Sequence, residues 1–155
     1  MKKKPKVPLN TIARNKKAGF DYFLLDRFEA GLMLQGWEVK SLREGRVQLR
    51  DTYVLIKNDE AWLLNAVISA LDSISKHVTP DEQRTRKLLL HRSELNKLKG
   101  MVERKGHALI PTIMYWKNGR AKLEFAIAKG KKEFDKRDTE KDRDWKREKE
   151  RLFKH

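Results

Sequence analysis

Residues 20–45 read FDYFLLDRFEAGLMLQGWEVKSLREG, and a change of period inside them decides the fold. Phe20, Tyr22, Leu24, Phe28, Ala30, Leu32 and Leu34 recur at every second position, broken only at Asp26. Strand side chains alternate between two faces, so this register predicts one apolar row lying against a core. Gly31 sits within the row, and a glycine inside a long strand marks a bend, a bulge or a close backbone approach. A strand coiling around a small barrel meets that description. From Gly36 the spacing turns helical: Val39, Leu42 and Val47 make one stripe, while Glu38, Lys40, Arg43 and Glu44 face outward. Gly45 then stops the helix as its C′ residue. One long bent strand feeding a short basic helix fits neither a bundle nor a doubly wound sheet.

Outward from this stretch the alternation returns. Asp51 to Ile56 (DTYVLI) and Ala61 to Ile68 (AWLLNAVI) read as hairpin arms about the polar residues Lys57 to Glu60. Ser69 to Thr85, with Pro80 inside it, has no periodic signal and reads as a long loop, a length that is usually functional or mobile. Arg84 to Leu90 (RTRKLLL) suits either a buried strand or the approach to a helix. Ser93 to Lys105 is helical, with Ser93 as N-cap, Leu95, Leu98 and Val102 as the apolar stripe, and Gly106 as the stop. His107 to Trp116 and Ala121 to Ala128 flank Asn118-Gly119, the strongest short hairpin signal in the chain. Pro111 cannot donate to a ladder and is expected on an edge or at a bulge. The resulting class is mostly β with helices: an OB-like closed antiparallel β-barrel of about six strands with two or three helices, a type that commonly binds oligonucleotides.

Composition restricts function. The 155 residues carry a formal charge of +15, far beyond what solubility requires, which points to nucleic acid, an anionic membrane or an acidic protein as partner. No cysteine is present, so disulfides, thiol nucleophiles and thiolate metal sites are excluded. The start, MKKKPKVPLN, lacks the apolar run of a signal peptide, and no stretch is long and apolar enough to span a bilayer. A cytoplasmic protein is expected. His77, His91, His107 and His155 show no metal-ligand spacing and no nucleophile motif, and neither a Walker loop nor GxGxxG occurs. Neither cofactor nor catalysis is expected. Glu29, Glu38 and Glu44 offer carboxylates for acid/base work, but Glu38 and Glu44 read as solvated helix positions.

The charge is concentrated at the ends. Residues 1–19 hold seven Lys/Arg and no acid, while residues 131–155 hold eleven basic and eight acidic residues. Residues 1–10 read as a disordered basic arm, 11–130 as the barrel, and 131–155 as a charged tail too poor in apolar residues to order itself. Arg14-Asn15-Lys16-Lys17 and Lys129-Gly130-Lys131-Lys132 flank the barrel, and the first and last strands can bring them into one phosphate-binding patch. In the tail, Trp145, Leu152 and Phe153 stand at i, i+7 and i+8, the stripe of a helix that folds on a partner. On these features alone three readings remain: an RNA-binding adaptor, a basic structural protein of the ribosome, or a metal-free nuclease using His91 or His107.

Five motifs then narrow the choice. EAGLMLQGWEVKSLREG, DTYV, RTRKLLLH, YWKNGRAKLE and AKGKKEFDKR, in that order and spacing, resemble the SsrA-binding protein (small protein B) family of bacterial trans-translation from about Thr11 onward. The resemblance implies an OB-like fold and a partner, the tRNA-like domain of tmRNA. It implies delivery of that RNA, with elongation factor Tu and GTP, to stalled 70S ribosomes for rescue and peptide tagging, the protein standing in for an anticodon arm. It implies RNA contacts at Asn15, Lys16, Glu29, Leu89, Gly130, Lys131 and Lys132, to which the clusters add Lys17 and Lys129. It further implies a tail motif at Asp135, Lys136 and Arg137 and a tail that turns helical in the empty mRNA channel below the decoding centre, against 16S ribosomal RNA. Many members carry histidine where this chain has Phe20, so stacking is retained there and titration is not. A monomer is expected.

Overall fold

The computed structural model describes residues 10–74, 77–105 and 107–131, with Arg143 and residues 145–147. In chain order the elements are β1 (Thr11–Arg14), α1 (Ala18–Asp21), β2 (Tyr22–Leu32), α2 (Gly36–Arg43), β3 (Val47–Gln48) and β4 (Tyr53–Lys57). They continue with β5 (Glu60–Leu64), β6 (Val67–Ile68), β7 (Arg86–Leu89), α3 (Arg92–Lys105), β8 (Ala108–Lys117) and β9 (Arg120–Gly130). The main sheet runs β1-β8-β4-β5-β7-β2-β9, and β9 pairs back onto β8. Six antiparallel strands thus form a ring, with β1 added along the outer edge of β8. Closure removes the open edges that a flat sheet would expose to other chains.

Inside the ring, Leu63, Met114, Leu123, Phe125 and Ile127 are fully buried, and Phe28 stacks on Phe125 with ring centroids 5.8 Å apart. Helix α3 packs onto this core through Leu98, with Leu95, Met101 and Val102 beside it. Each such side chain withdrawn from water contributes roughly 1.5–3 kcal/mol, which is what holds the ring around its filling.

The even-numbered row of β2 does not face one core. A one-residue register shift between Leu24 and Arg27 sends Tyr22 and Leu24 to a second, smaller cluster with Ala18, Ile110 and Ala128. Phe28 and Leu32 pack on the main cluster, which includes Ala30. An unpaired extra residue reverses which parity faces inward, a change that spacing cannot register. Phe20 lies in α1, ahead of the strand. The basic lead-in contains β1, and the arm predicted over Ala61 to Ile68 is divided at Asn65 (φ 66°) into β5 and β6. Val47 belongs to β3, paired with Ile68. The RTRKLLL stretch supplies β7, and α3 begins one residue earlier than expected, so that the His91 carbonyl accepts from Leu95 and Ser93 lies within the first turn.

Other expectations stand. Gly45 (φ 70°) closes α2, with Gly45 N–H donating to Leu42 O and Arg46 N–H to Ser41 O. A register shift follows Pro111 directly, so the missing N–H falls at a bulge. Asn118 (φ 53°) and Gly119 (φ 73°) form the two-residue turn between β8 and β9. Gly119→Ala is therefore expected to cost about 1 kcal/mol, because a Cβ is strained in the left-handed region. Urea unfolding followed by circular dichroism reads this, and an unchanged midpoint would count against the turn geometry.

The largest departure concerns Glu38. It is wholly buried, not solvated: one carboxylate oxygen accepts from the Arg84 guanidinium and from Gln35 N–H, the other from Arg86 Nε at 2.5 Å. Arg86 is equally buried and also donates to the carbonyls of Ala66, Arg84 and Glu82 at 2.8, 2.9 and 3.1 Å. This ionic knot ties α2 to β7 and to the preceding loop.

Candidate nucleic-acid interface

The bulge after Pro111 frees carbonyl groups, and Asn15 takes two of them. Its backbone N–H donates to Thr112 O at 2.8 Å and its side-chain amide to Pro111 O at 2.9 Å. This pins the chain just before α1 and leaves Lys16 and Lys17 exposed on the turn, Lys17 being 3.9 Å from Asp21. The end of β9 returns to the same place: Lys131 N–H donates to Asp21 O at 3.0 Å, and its ammonium to Gly19 O at 3.1 Å. The same ammonium lies 5.1 Å from the ring centroid of Phe23, which is 44% exposed. Asn15, Lys16, Lys17 and Phe20 therefore meet Lys129, Gly130 and Lys131 at one end of the barrel. Lys132 lies outside the described residues. A groove of about 440 Å³ opens beside this end, lined among others by Asn15, Lys17, Asp21, Tyr53 and His107.

Glu29 and Leu89 form a second group. Seven residues along β2 separate Glu29 from Tyr22, roughly 20 Å of strand. Glu29 accepts from the Tyr115 hydroxyl and from the Lys117 ammonium, at 3.2 and 3.3 Å to its two oxygens. The Tyr115 hydrogen bond, helped by Lys117 and Lys122 against some desolvation, holds the Glu29 carboxyl below its ordinary value of 4.5, while burial and Glu29 itself push the Tyr115 phenol up. Gly31 pairs with Leu89 across the ladder, and a Cβ on Gly31 would stand 3.3 Å from Leu89 Cβ and 3.6 Å from Lys122 Nζ. The absent side chain is what lets the half-exposed Leu89 and the Lys122 ammonium both lie close over Gly31.

Spacing did not reveal Phe23, Tyr115, Lys117 or Lys122. Tyr115 and Glu29 are 86 positions apart, and only the register of β2, β9 and β8 joins them. Asp135, Lys136, Arg137, Leu152 and Phe153 lie outside the described residues. Trp145 has helical backbone and is 60% exposed. Among the described residues no three metal-ligating side chains converge, and no helix is long and apolar enough to cross a membrane.

A closed antiparallel ring, mostly β with helices packed on it and a cationic surface at one end, defines a basic protein of the OB-like barrel class. The family model for SmpB protein matches residues 12–155, and the chain belongs to the SmpB family. Among solved structures, one described as "tmRNA-SmpB: a journey to the center of the bacterial ribosome" is similar at 40% identity and a TM-score of 0.64, over 78% of this chain and 85% of that one.

Proposed function

We propose that this protein binds the tRNA-like domain of tmRNA and delivers it to stalled ribosomes for trans-translation, acting as an adaptor and not as an enzyme. Family membership supports the reading, and one observation carries it: the basic lead-in and the end of β9 meet through the bonds from Lys131 to Asp21 and Gly19. Two charge runs far apart in sequence thereby become one phosphate-binding surface, with Phe20 and Phe23 beside it for stacking on unpaired bases. Glu29 and Leu89 lie too far along β2 to share a phosphate with Lys131, so they contact a different part of the RNA. The barrel, residues 11–130, works as a monomer in the cytoplasm. Residues 131–155 serve as a separate ribosome-seeking tail, in which Asp135, Lys136 and Arg137 lead into a helix striped by Trp145, Leu152 and Phe153. Elongation factor Tu with GTP joins through the RNA rather than through this chain.

Sequencing the RNA that co-purifies with the protein tests the reading; tmRNA is expected to dominate. Ribosomal RNA recovered in fixed proportion to ribosomes would identify a structural ribosomal protein instead. Salt dependence tests the phosphate surface. Log K should fall by roughly 0.7–0.9 per decade of salt for each phosphate neutralised, and Lys16→Ala with Lys129→Ala should lower that slope by about this amount apiece. A slope that both substitutions leave unchanged would place the phosphate contacts elsewhere.

A further inference from the structure

The outer face of β2, β9 and β8 holds two carboxylates side by side. Glu29 on β2 is the cross-strand partner of Glu124 on β9, a pairing that repels unless each charge is met. Glu124 is met by Arg27 Nη1 at 3.0 Å and the Thr112 hydroxyl at 2.6 Å. Glu29 is met by Tyr115 and Lys117, both from β8. Tyr115 lies in the row Gly31–Lys122–Tyr115, one row along from Glu29, so its phenol reaches diagonally across β9 to the carboxylate.

We propose that Tyr115 is the positioning residue for Glu29, orienting its carboxylate to accept from the N–H donors of an unpaired nucleobase in the bound RNA. This rests on the RNA-binding reading above and names the chemical group that the Glu29 surface recognises. An exposed carboxylate is a poor phosphate ligand, but it retains unfilled lone pairs after one hydroxyl and one ammonium have been accepted. Lys117 cannot do the orienting alone, because it is 54% exposed and sits on a flexible stem, and such surface ion pairs hold geometry weakly. Tyr115 differs in kind. Its backbone is laddered on one side to Thr11 and on the other to Lys122, its ring is half-buried, and its hydroxyl makes a charge-assisted bond.

The test uses the full-length protein and the tmRNA tRNA-like domain at several salt concentrations. Tyr115→Phe, which removes one hydroxyl and keeps the ring, should weaken binding about tenfold. Its salt slope should match wild type, since no phosphate contact is lost. Glu29→Gln should show a similar loss, and the double variant should lose little more than Glu29→Gln alone, as expected of groups acting as a unit. A merely structural tyrosine would instead give additive losses or a lowered melting temperature. Carboxyl titration by NMR gives a second readout that needs no RNA: Glu29 should titrate below 4.5 in the wild type and return toward it in Tyr115→Phe. Normal RNA binding by Tyr115→Phe, or a loss that adds to that of Glu29→Gln, overturns the positioning role alone. Failure of the wild-type protein to bind this RNA overturns the parent reading, and the proposal with it.

Discussion

Glu38→Ala should destabilise the barrel by about 3–5 kcal/mol, because it leaves the wholly buried Arg86 guanidinium, with the partly exposed Arg84 beside it, without a counter-charge. Arg86 has no solvent exposure at all, and its remaining partners are carbonyls, which satisfy its hydrogens without balancing its charge. A loss of that size is a large share of the 5–15 kcal/mol that holds a typical domain. Burial opposes the charge on Glu38, but the hydrogen bonds from Gln35 N–H, Arg84 and Arg86 outweigh it and leave its pKa below 4.5. With the folded value depressed, this stability is fully present above the ordinary carboxylate pKa and is lost as the pH falls through the folded one. Urea titrations at neutral pH give the magnitude, and melts down a pH series give the sign. The control is Glu38→Met with Arg86→Met, which removes the two most buried charges and should recover much of the loss. A single Glu38→Ala variant that unfolds within about 0.5 kcal/mol of wild type would mean that the ion cluster contributes no more than an ordinary surface pair.

Truncation from Asp135 onward should abolish peptide tagging on stalled ribosomes while leaving tmRNA affinity within about twofold. The basis is geometric: the proposed phosphate surface lies N-terminal to the cut, where the backbone and ammonium of Lys131 are both bonded to the α1 turn. The residues removed, 135–155, carry nine basic and seven acidic side chains, too balanced to contribute much to phosphate binding. Trp145, Leu152 and Phe153 among them instead stand at the spacing of one helical stripe, suited to lying against a surface. Filter binding with the tRNA-like domain and a tagging reaction on ribosomes halted at the end of a message separate the two activities. Parallel loss of both, or tagging that survives the truncation, ends the division of labour. A Trp145→Ala variant in the full-length chain refines the result: its tmRNA affinity should be unchanged and its tagging reduced.

Most of the ring's strands were legible along the chain because strand and turn chemistry are local. Period-two runs around Asn118-Gly119 marked β8 and β9, and Gly45 marked the end of α2, since both glycines meet a left-handed requirement set by their immediate neighbours. The two lysine clusters were legible as charge, and their convergence followed once the first and last strands were taken as neighbours. Glu38 misled for a definable reason. It stands one helical turn before the buried Leu42 and on the same face, but a carboxylate is ordinarily solvated, and nothing within four residues announces that Arg84 and Arg86 will close over it. Tyr115 was invisible for the same cause at greater range.

Local order along the chain settled the class of this protein: alternating runs, their turns and the excess of cations specify an antiparallel barrel that seeks a polyanion. Ring closure and two one-residue register shifts, near Leu24 and after Pro111, settled which side chains meet. They gave Tyr22 and Leu24 a separate apolar cluster, set Asn15 on the freed carbonyls, and brought a β8 phenol across β9 to Glu29. Periodicity is a property of neighbours a few residues apart, whereas a register is a property of strands that pair across the whole chain, and one extra residue in either strand resets it.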